Sequence, residues 1–122
     1  MSFTGSTEVG RLLLEQAARS VKRTSMELGG SAPVLVFDDA DLDGAVDAVI
    51  ATKYRNTGQA RISANRVFVQ AGIHDRFAEQ LAARVAQLVV GDGFDERSQQ
   101  GPLIDADAVA KVESHISEAV RQ

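Results

Sequence analysis

One polar segment of this sequence, residues 54–66, combines residue types that could bind or transform a ligand. It contains Arg55, Arg61 and Ser63 among Asn, Thr, Gly and Gln residues. A guanidinium group grips a carboxylate through two parallel hydrogen bonds. Arg55 could therefore bind a carboxylate, or it could be a surface residue that the helix dipole favours near a helix C-terminus. Ser63 is a poor nucleophile because a serine needs an adjacent base and the segment contains no histidine.

Glu27 is a second candidate, because it precedes the paired glycines Gly29 and Gly30. Glycines allow positive φ angles and a close approach of the backbone, which leaves room for a substrate beside the carboxylate. Glu27 could then act as a general base. The spacing alone favours the plainer alternative, a surface glutamate at the end of a strand.

The start of the chain has the pattern of a phosphate-binding turn. Gly5 is followed by Ser6 and Thr7, either of which can cap a helix, and Glu8 suits the first helical turn. A helix N-terminus after a glycine turn presents free N–H groups and a positive dipole end to a phosphate. An ordinary turn with its cap uses the same residues, and the pattern alone favours that interpretation.

The composition excludes several functional classes. The chain has 122 residues, of which 44% are hydrophobic, and it reads as one globular domain or a piece of a larger one. Its net charge of −4 argues against a nucleic-acid partner, which would need a basic surface. Cysteine is absent, which excludes disulfides and thiolate chemistry, and we predict no metal site. We expect His74 and His115 to be surface residues.

No long apolar run and no signal peptide is found in the sequence. We therefore expect a cytoplasmic protein that does not contact a membrane.

The hydrophobic periodicity predicts alternating strands and helices. Short strands are expected at the start of the chain, before Gly29, at residues 32–37 and at residues 67–69. The run 32–37 has the length and the β-branching of a strand buried on both faces. Four helices are predicted from apolar residues at helical spacing: Val9, Leu12, Leu13 and Ala17; Leu42, Ala45, Val46, Val49 and Ile50; Phe77, Leu81, Val85, Leu88 and Val89; and Val109, Val112, Ile116 and Val120. This order predicts an α/β fold with a mainly parallel sheet and flanking helices.

Several of these segments, taken as ordered motifs, resemble the aldehyde dehydrogenase superfamily. The matching strings are Phe-Thr-Gly-Ser-Thr-Glu-Val-Gly at residues 3–10, Glu-Leu-Gly-Gly at residues 27–30, Gly-Gln at residues 58–59 and Gly-Pro-Leu-Ile at residues 101–104. The resemblance covers essentially the whole chain. It implies that residues 1–30 are the end of the cofactor-binding region and residues 31–122 the first part of the catalytic domain. We expect the two parts to form one compact unit.

The resemblance also implies a cofactor and a base. The first turn would contact the pyrophosphate and nicotinamide end of NAD or NADP, and the sequence leaves the choice between the two open. Glu27 would activate water for hydrolysis of the thioester. The cofactor-binding residues implied are Thr4, Gly5, Ser6, Val9, Leu28 and Gly29.

Residues 53–59, Lys-Tyr-Arg-Asn-Thr-Gly-Gln, resemble the pattern of the succinate-semialdehyde dehydrogenase subgroup. In that subgroup the arginine binds the far carboxylate of the substrate, a role that carries over to Arg55. The implied reaction is oxidation of a semialdehyde to the carboxylic acid.

Arg61 departs from the family at the position of the catalytic cysteine, which follows Gly-Gln by two residues. Arginine carries a permanent charge and has no nucleophilic lone pair, so we predict that this chain is inactive. We expect Arg61 to turn toward solvent or to pair with an acid such as Glu27, since an unpaired buried charge is costly.

Members of this family are several times longer than the present sequence. We therefore expect self-association through exposed apolar faces and sheet edges. The alternative to an inactive enzyme segment is a non-catalytic nucleotide-binding or interaction module derived from the family.

Overall fold

A computed structural model describes residues 1–122, and the contacts among them divide the chain into two compact units, Met1–Ser31 and Ala32–Gln122. The sequence favoured a single compact unit. The assignment of residues 1–30 to a cofactor-binding region and of residues 31–122 to a catalytic domain stays a prediction. No helix of the chain combines the length and the apolar character that spanning a membrane requires.

The first unit is a βαβ arrangement. Strand β1 (Ser2–Gly5) pairs in parallel with β2 (Ser25–Leu28), and helix α1 (Thr7–Ala18) connects them. Two parallel strands need such a crossover connection. Gly10 of α1 is buried, and a Cβ atom there would overlap the side chain of Leu28. Glycine at this position therefore allows the helix to approach the strand closely.

The second unit contains the larger core. Its elements are β3 (Ala32–Val36), α2 (Leu42–Lys53), a 3-10 turn (Arg55–Gly58), β4 (Ala64–Val69), α3 (His74–Val85) and α4 (Ala106–Arg121). Strands β3 and β4 are parallel, with a register shift after Ala32. Helices α2 and α3 cover one face of this sheet. The buried core consists of Val36, Val46, Val49, Ile73 and Phe77.

The predicted α/β class with parallel strands is confirmed. The strands form two separate two-stranded sheets. Strand β3, however, is not buried on both faces. Val34 and Val36 face the core, whereas Leu35 is 60% exposed and Phe37, just after the strand, is 59% exposed. The reason is that α2 and α3 pack on one side of the strand, so the opposite side lacks a cover within its unit.

The third helix is shorter than the periodicity predicted. It ends at Val85, although Leu88 and Val89 continue the apolar spacing. The carbonyl of Val89 instead accepts hydrogen bonds from the amides of Gln99 and Gln100. These long-range bonds place the carbonyl of Val89 outside the helical hydrogen-bond pattern, and the spacing of apolar residues does not predict them.

Candidate functional site

Helix α2 carries the polar segment 54–66 out of the core of the second unit. The side chain of Asp41 caps the helix by accepting a hydrogen bond from an amide of the first turn. At the other end the amide of Tyr54 donates to the carbonyl of Ile50 at 2.9 Å. Because Val46 of this helix is fully buried, tertiary packing fixes the point from which the segment starts.

Near its start the segment has three consecutive residues in the left-handed region. The φ angles are 51° for Asn56, 57° for Thr57 and 75° for Gly58. Glycine adopts this conformation at no steric cost, and asparagine tolerates it. A β-branched threonine does not, and such a residue costs of the order of 1–3 kcal/mol. The turn therefore needs support from its surroundings.

The side chain of Gln59 supplies part of that support. Its Nε2 group donates to the carbonyl of Asn56 at 3.2 Å and to the carbonyl of Pro102 at 3.3 Å. Its Oε1 atom accepts a hydrogen bond from the amide of Ile104 at 2.8 Å. One amide group thus joins the turn to a segment more than 40 residues further along the chain.

Thr57 adds a second link to the same segment. Its hydroxyl donates to the carbonyl of Gly101 at 3.1 Å. The Asn56 side chain closes the turn locally by donating to the carbonyl of Gln59 at 3.3 Å. We call the side chains of Thr57 and Gln59, together with the backbone of residues 101–104, the clasp.

Arg61 lies just beyond the clasp, in a turn, and is exposed. The amide of Ser63 donates to the carbonyl of Ala60 at 3.0 Å and closes this turn. Strand β4 begins at the next residue, Ala64, which is buried. The backbone at position 61 is therefore held between the clasp on one side and a buried strand start on the other.

Ser63 is buried, with 3% of its surface exposed, and its hydroxyl oxygen has no hydrogen-bond partner. An unsatisfied buried hydroxyl of this kind costs about 1–3 kcal/mol. A nucleophilic serine needs a base within hydrogen-bond reach. The hydroxyl of Ser63 has no such partner in the structure.

Arg55 is exposed at the start of the 3-10 turn and lines a small cavity. The cavity has a volume of about 260 Å³, and Ile62, the neighbour of Arg61, lines it as well. This volume is close to the lower limit of about 300 Å³ for ligand pockets. Alanines and Ile62 provide apolar walls beside one guanidinium group. The lining of the cavity thus combines apolar side chains with one arginine.

The first unit brings most of the predicted cofactor-binding residues to one end of its sheet. Thr4 is the register partner of Glu27, and Gly5 is the partner of Leu28. These residues lie at the carboxyl ends of two parallel strands, where open α/β folds bind ligands.

The helix that follows β1 begins at the same end of the sheet. Ser6 is its N-cap, and its hydroxyl oxygen accepts a hydrogen bond from the amide of Val9 at 3.3 Å. A Cβ atom at Gly29 would lie 4.0 Å from the hydroxyl oxygen of Thr7. Gly29 therefore comes near the start of the helix.

The predicted site residues are divided between the two units. Thr4, Gly5, Ser6, Val9, Glu27, Leu28 and Gly29 belong to Met1–Ser31, whereas Arg55 and Arg61 belong to Ala32–Gln122. Glu27 is exposed at the third position of β2. The catalytic, cofactor-binding and substrate-binding roles given to these residues stay predictions.

The two histidines are exposed. His74 is the first residue of α3, and its Nδ1 atom lies 2.9 Å from a carboxylate oxygen of Asp75. His115 lies on α4 and lines a cavity of about 530 Å³ next to the clasp. No group of three or more His, Cys, Asp or Glu residues is arranged to hold a metal ion.

The clasp was not predicted from the sequence. Gln59 and the string at 101–104 belong to separate motifs of the sequence. A long polar side chain directly after a glycine in a turn was the available signal. Its partners lie more than 40 residues away, and no pattern within a single sequence connects the two segments.

Comparison with known proteins identifies the family. The profile of the aldehyde dehydrogenase family matches residues 1–122. The chain is 58% identical over 120 residues to a glutarate-semialdehyde dehydrogenase of Pseudomonas putida, which covers 98% of this chain and 25% of that protein. It is 57% identical over 122 residues to an NADP-dependent succinate-semialdehyde dehydrogenase of Escherichia coli, covering 100% of this chain and 25% of that protein.

The fold agrees with this similarity. A crystal structure of a succinate-semialdehyde dehydrogenase from Burkholderia pseudomallei superposes with a TM-score of 0.95 at 56% identity, covering 98% of this chain and 25% of the other. The chain spans about a quarter of the length of the relatives it matches. The resemblance found in its motifs is confirmed, and the chain belongs to the aldehyde dehydrogenase family.

Proposed function

We propose that this chain carries the nucleophile loop and the cofactor-binding turn of an NAD(P)-dependent semialdehyde dehydrogenase, and that the chain itself does not oxidise aldehydes. The observation that carries the proposal is the clasped Gly58-Gln59 turn followed by Arg61. The turn has the Gly-Gln-x-Cys pattern of the family except at the position of the thiol. Family membership makes the reaction class oxidation of an aldehyde to an acid.

The missing step is the formation of the covalent bond. In the family a cysteine thiolate attacks the aldehyde carbon. The guanidinium of Arg61 offers no lone pair for that attack, and Ser63 has no base beside it. Glu27 would act later, as the base that takes a proton from the hydrolytic water. Without the first step no thioester forms for that water to attack.

The first unit fits the phosphate end of a dinucleotide. The N-terminus of α1, capped by Ser6, and the carboxyl ends of β1 and β2 lie at one end of the unit. Backbone N–H groups and the hydroxyl of Thr7 are suitable donors to phosphate oxygens. Bound NAD(P) supplies the hydride acceptor for aldehyde oxidation. The NADP named for the Escherichia coli relative supports this cofactor class.

Arg55 is the proposed specificity residue. It lines a small cavity together with apolar side chains. The relatives named above act on succinate semialdehyde and glutarate semialdehyde, and both compounds carry a carboxylate at the end opposite the aldehyde. We therefore propose a short aldehyde with a terminal carboxylate as the ligand of this cavity.

The test of the catalytic proposal is direct. The purified chain is mixed with NAD or NADP and with succinate semialdehyde or glutarate semialdehyde, and the absorbance of the reduced cofactor is followed. No reduced cofactor is expected above the level of a reaction without protein. Reduced cofactor formed in proportion to the chain concentration would overturn the proposal.

A fluorescence titration with NADH and NADPH separates the inactive enzyme segment from the alternative, a nucleotide-binding module. Saturable binding that Ser6→Ala weakens would favour the module. The matched control is Asp41→Ala, which removes a helix cap of the same kind from the second unit. Absence of binding, or equal weakening by both variants, would remove the nucleotide-binding alternative.

A further inference from the structure

We propose that Gln59 is a positioning residue that fixes the backbone at position 61 by anchoring the left-handed turn to residues 101–104. The clasp is the observation behind this proposal. The importance of position 61 rests on the function proposed above, whereas the positioning itself is a property of the structure that can be measured without any reaction.

The turn requires an anchor because its conformation is unfavourable. Asn56 and Thr57 both have positive φ angles, and side chains with a Cβ atom disfavour this region. Strained residues persist only where the surrounding structure over-determines them. The hydrogen bonds within the turn are local, so the bonds to residues 101–104 are the ones that tie it to another part of the second unit.

Glutamine is well suited to this role. Its terminal amide carries two donor hydrogens and an acceptor oxygen on one planar group. In this structure the Nε2 group of Gln59 donates to the carbonyls of Asn56 and Pro102, and its Oε1 atom accepts from the amide of Ile104. A glutamate would keep the acceptor and lose both donors, and an asparagine would be one methylene shorter.

The anchoring segment is itself constrained. Pro102 has a fixed φ angle and no N–H group, so it offers only its carbonyl for pairing. That carbonyl and the carbonyl of Gly101 accept hydrogen bonds from Gln59 and Thr57 respectively. Three of the four residues in the segment 101–104 therefore contribute a backbone partner to the clasp, with Leu103 as the exception.

The clasp also restrains the backbone at position 61, because this position lies only two residues after Gln59. On its other side the hydrogen bond between Ser63 and Ala60 closes the turn, and the buried Ala64 starts β4. Loss of the clasp would leave the strand start in place and release only the preceding turn. The expected result is local disorder at residues 56–62 in a chain that is still folded.

Amide hydrogen exchange tests this in the unmodified chain and in Gln59→Leu. The amides of Ile104 and Gln59 should exchange about tenfold faster in the variant, because their protection depends on the clasp. The matched control is Gln70→Leu, which removes a hydrogen bond of 2.9 Å to the amide of Asp38 in the same unit. It should leave the amides of the clasp unchanged. Equal acceleration by both variants, or none by Gln59→Leu, would overturn the proposal.

A pair of substitutions at Thr57 covers the case in which Gln59→Leu fails to fold. Thr57→Val keeps the shape and removes the hydroxyl bond to Gly101, whereas Thr57→Ser keeps the hydroxyl. Exchange at residues 56–62 should accelerate in Thr57→Val and stay near the original rate in Thr57→Ser. Acceleration in both variants, or in neither, would contradict the clasp.

Thiol chemistry reports on position 61 itself. Arg61→Cys introduces a thiol whose alkylation rate is measured alone and combined with Gln59→Leu or Gln70→Leu. The rate should change only in the combination with Gln59→Leu, and identical rates in all three would overturn the positioning role. This readout involves neither cofactor nor turnover, so catalytic inactivity or absent nucleotide binding leaves it unaffected.

Discussion

The Oε1 atom of Gln59 accepts a hydrogen bond from the amide of Ile104 at 2.8 Å, across 45 residues of sequence. The same side chain donates to the carbonyl of Asn56, inside the left-handed turn. Gln59 thus connects a strained turn to a segment that is distant in the sequence. The stability of that turn is accordingly a tertiary property, and local substitutions in it should have measurable effects.

Gly58→Ala should destabilise the second unit by about 1–2 kcal/mol. Gly58 has a φ angle of 75°, and an added Cβ atom would lie 3.2 Å from the carbonyl oxygen of Lys53. Both the conformation and the contact oppose the alanine. Denaturant unfolding measures the change.

The control for this substitution is Gly93→Ala. A Cβ atom at Gly93 meets nothing within 4 Å, and the φ angle there is not positive. This variant should be neutral or slightly more stable, since alanine restricts the unfolded chain. A loss of stability at Gly93 as large as that at Gly58 would contradict the explanation.

Val21→Gly should stabilise the first unit by about 1 kcal/mol. Val21 follows α1 with a φ angle of 51°, a conformation that suits glycine at a helix end. The side chain is 91% exposed, so little packing is lost. Thermal unfolding checks the result, with Val21→Ala as the comparison because alanine keeps the Cβ penalty. A less stable Val21→Gly variant would show that the side chain contributes more than the strain costs.

The fold was predictable where one local pattern decides it. The apolar spacing of α2 located a helix whose buried face includes Val46 and Val49. Prediction failed where the local structure depends on distant parts of the chain. From the sequence, β3 is predicted to be buried on both faces because Leu35 and Phe37 are apolar. The structure shows that helices cover only one face of the strand and that these two side chains are exposed. The end of α3 depends on the hydrogen bonds of Val89 to residues 99 and 100.

The candidate site shows the same division. Ordered motifs identified the cofactor turn, Glu27 and the position of Arg61, because these are short strings. The left-handed conformation of Asn56 and Thr57 was not foreseeable, since neither residue type favours it as strongly as glycine does. It depends on the clasp, whose two halves are more than 40 residues apart.

The pKa of Asp95 should lie below its usual value. The guanidinium of Arg97 lowers it most, through bonds at 2.7 and 3.1 Å, and the amide of Arg97 lowers it further. A carboxyl whose folded pKa is depressed stabilises the folded state above the unfolded pKa of about 3.9. This stabilisation is lost as the pH falls through the folded pKa.

Carboxyl-carbon NMR titration measures the Asp95 midpoint. Arg97→Gln should move the midpoint up toward the ordinary value, whereas Arg121→Gln, a change of the same kind on α4, should leave it unchanged. A midpoint in the unmodified chain at or above the ordinary value would contradict the assignment.

Arg55→Gln should weaken the binding of succinate or glutarate by about tenfold, because a charge-assisted bidentate contact is lost. The same titration, followed by the methyl NMR signals of Ile62, should show little response to succinamide, which keeps the carbon chain but has no carboxylate. Ile62 is a suitable reporter because it lines the same cavity. Arg76→Gln, which removes an exposed arginine from α3, is the control. Equal weakening by both variants would indicate general charge attraction rather than a site.

Self-association should occur through the open face of the sheet formed by β3 and β4. Leu35, Phe37 and Phe68 are all more than half exposed and line one cavity of about 320 Å³. A contiguous exposed apolar surface favours association, and unpaired strand edges add to the effect. Sedimentation velocity over a range of concentrations should therefore show a concentration-dependent shift from monomer to larger species.

Leu35→Glu should shift that equilibrium strongly toward the monomer, because burial of an unpaired carboxylate in an apolar contact is costly. Ser117→Glu adds the same charge to an exposed position of α4 and serves as the control. If association persists in Leu35→Glu and decreases in Ser117→Glu, the contact lies on α4, where Ile116 and Val120 are also exposed. A chain that stays monomeric at every concentration would show that the open face is not sufficient for association, since a single uncovered sheet face then buries too little area to offset the entropy lost on binding.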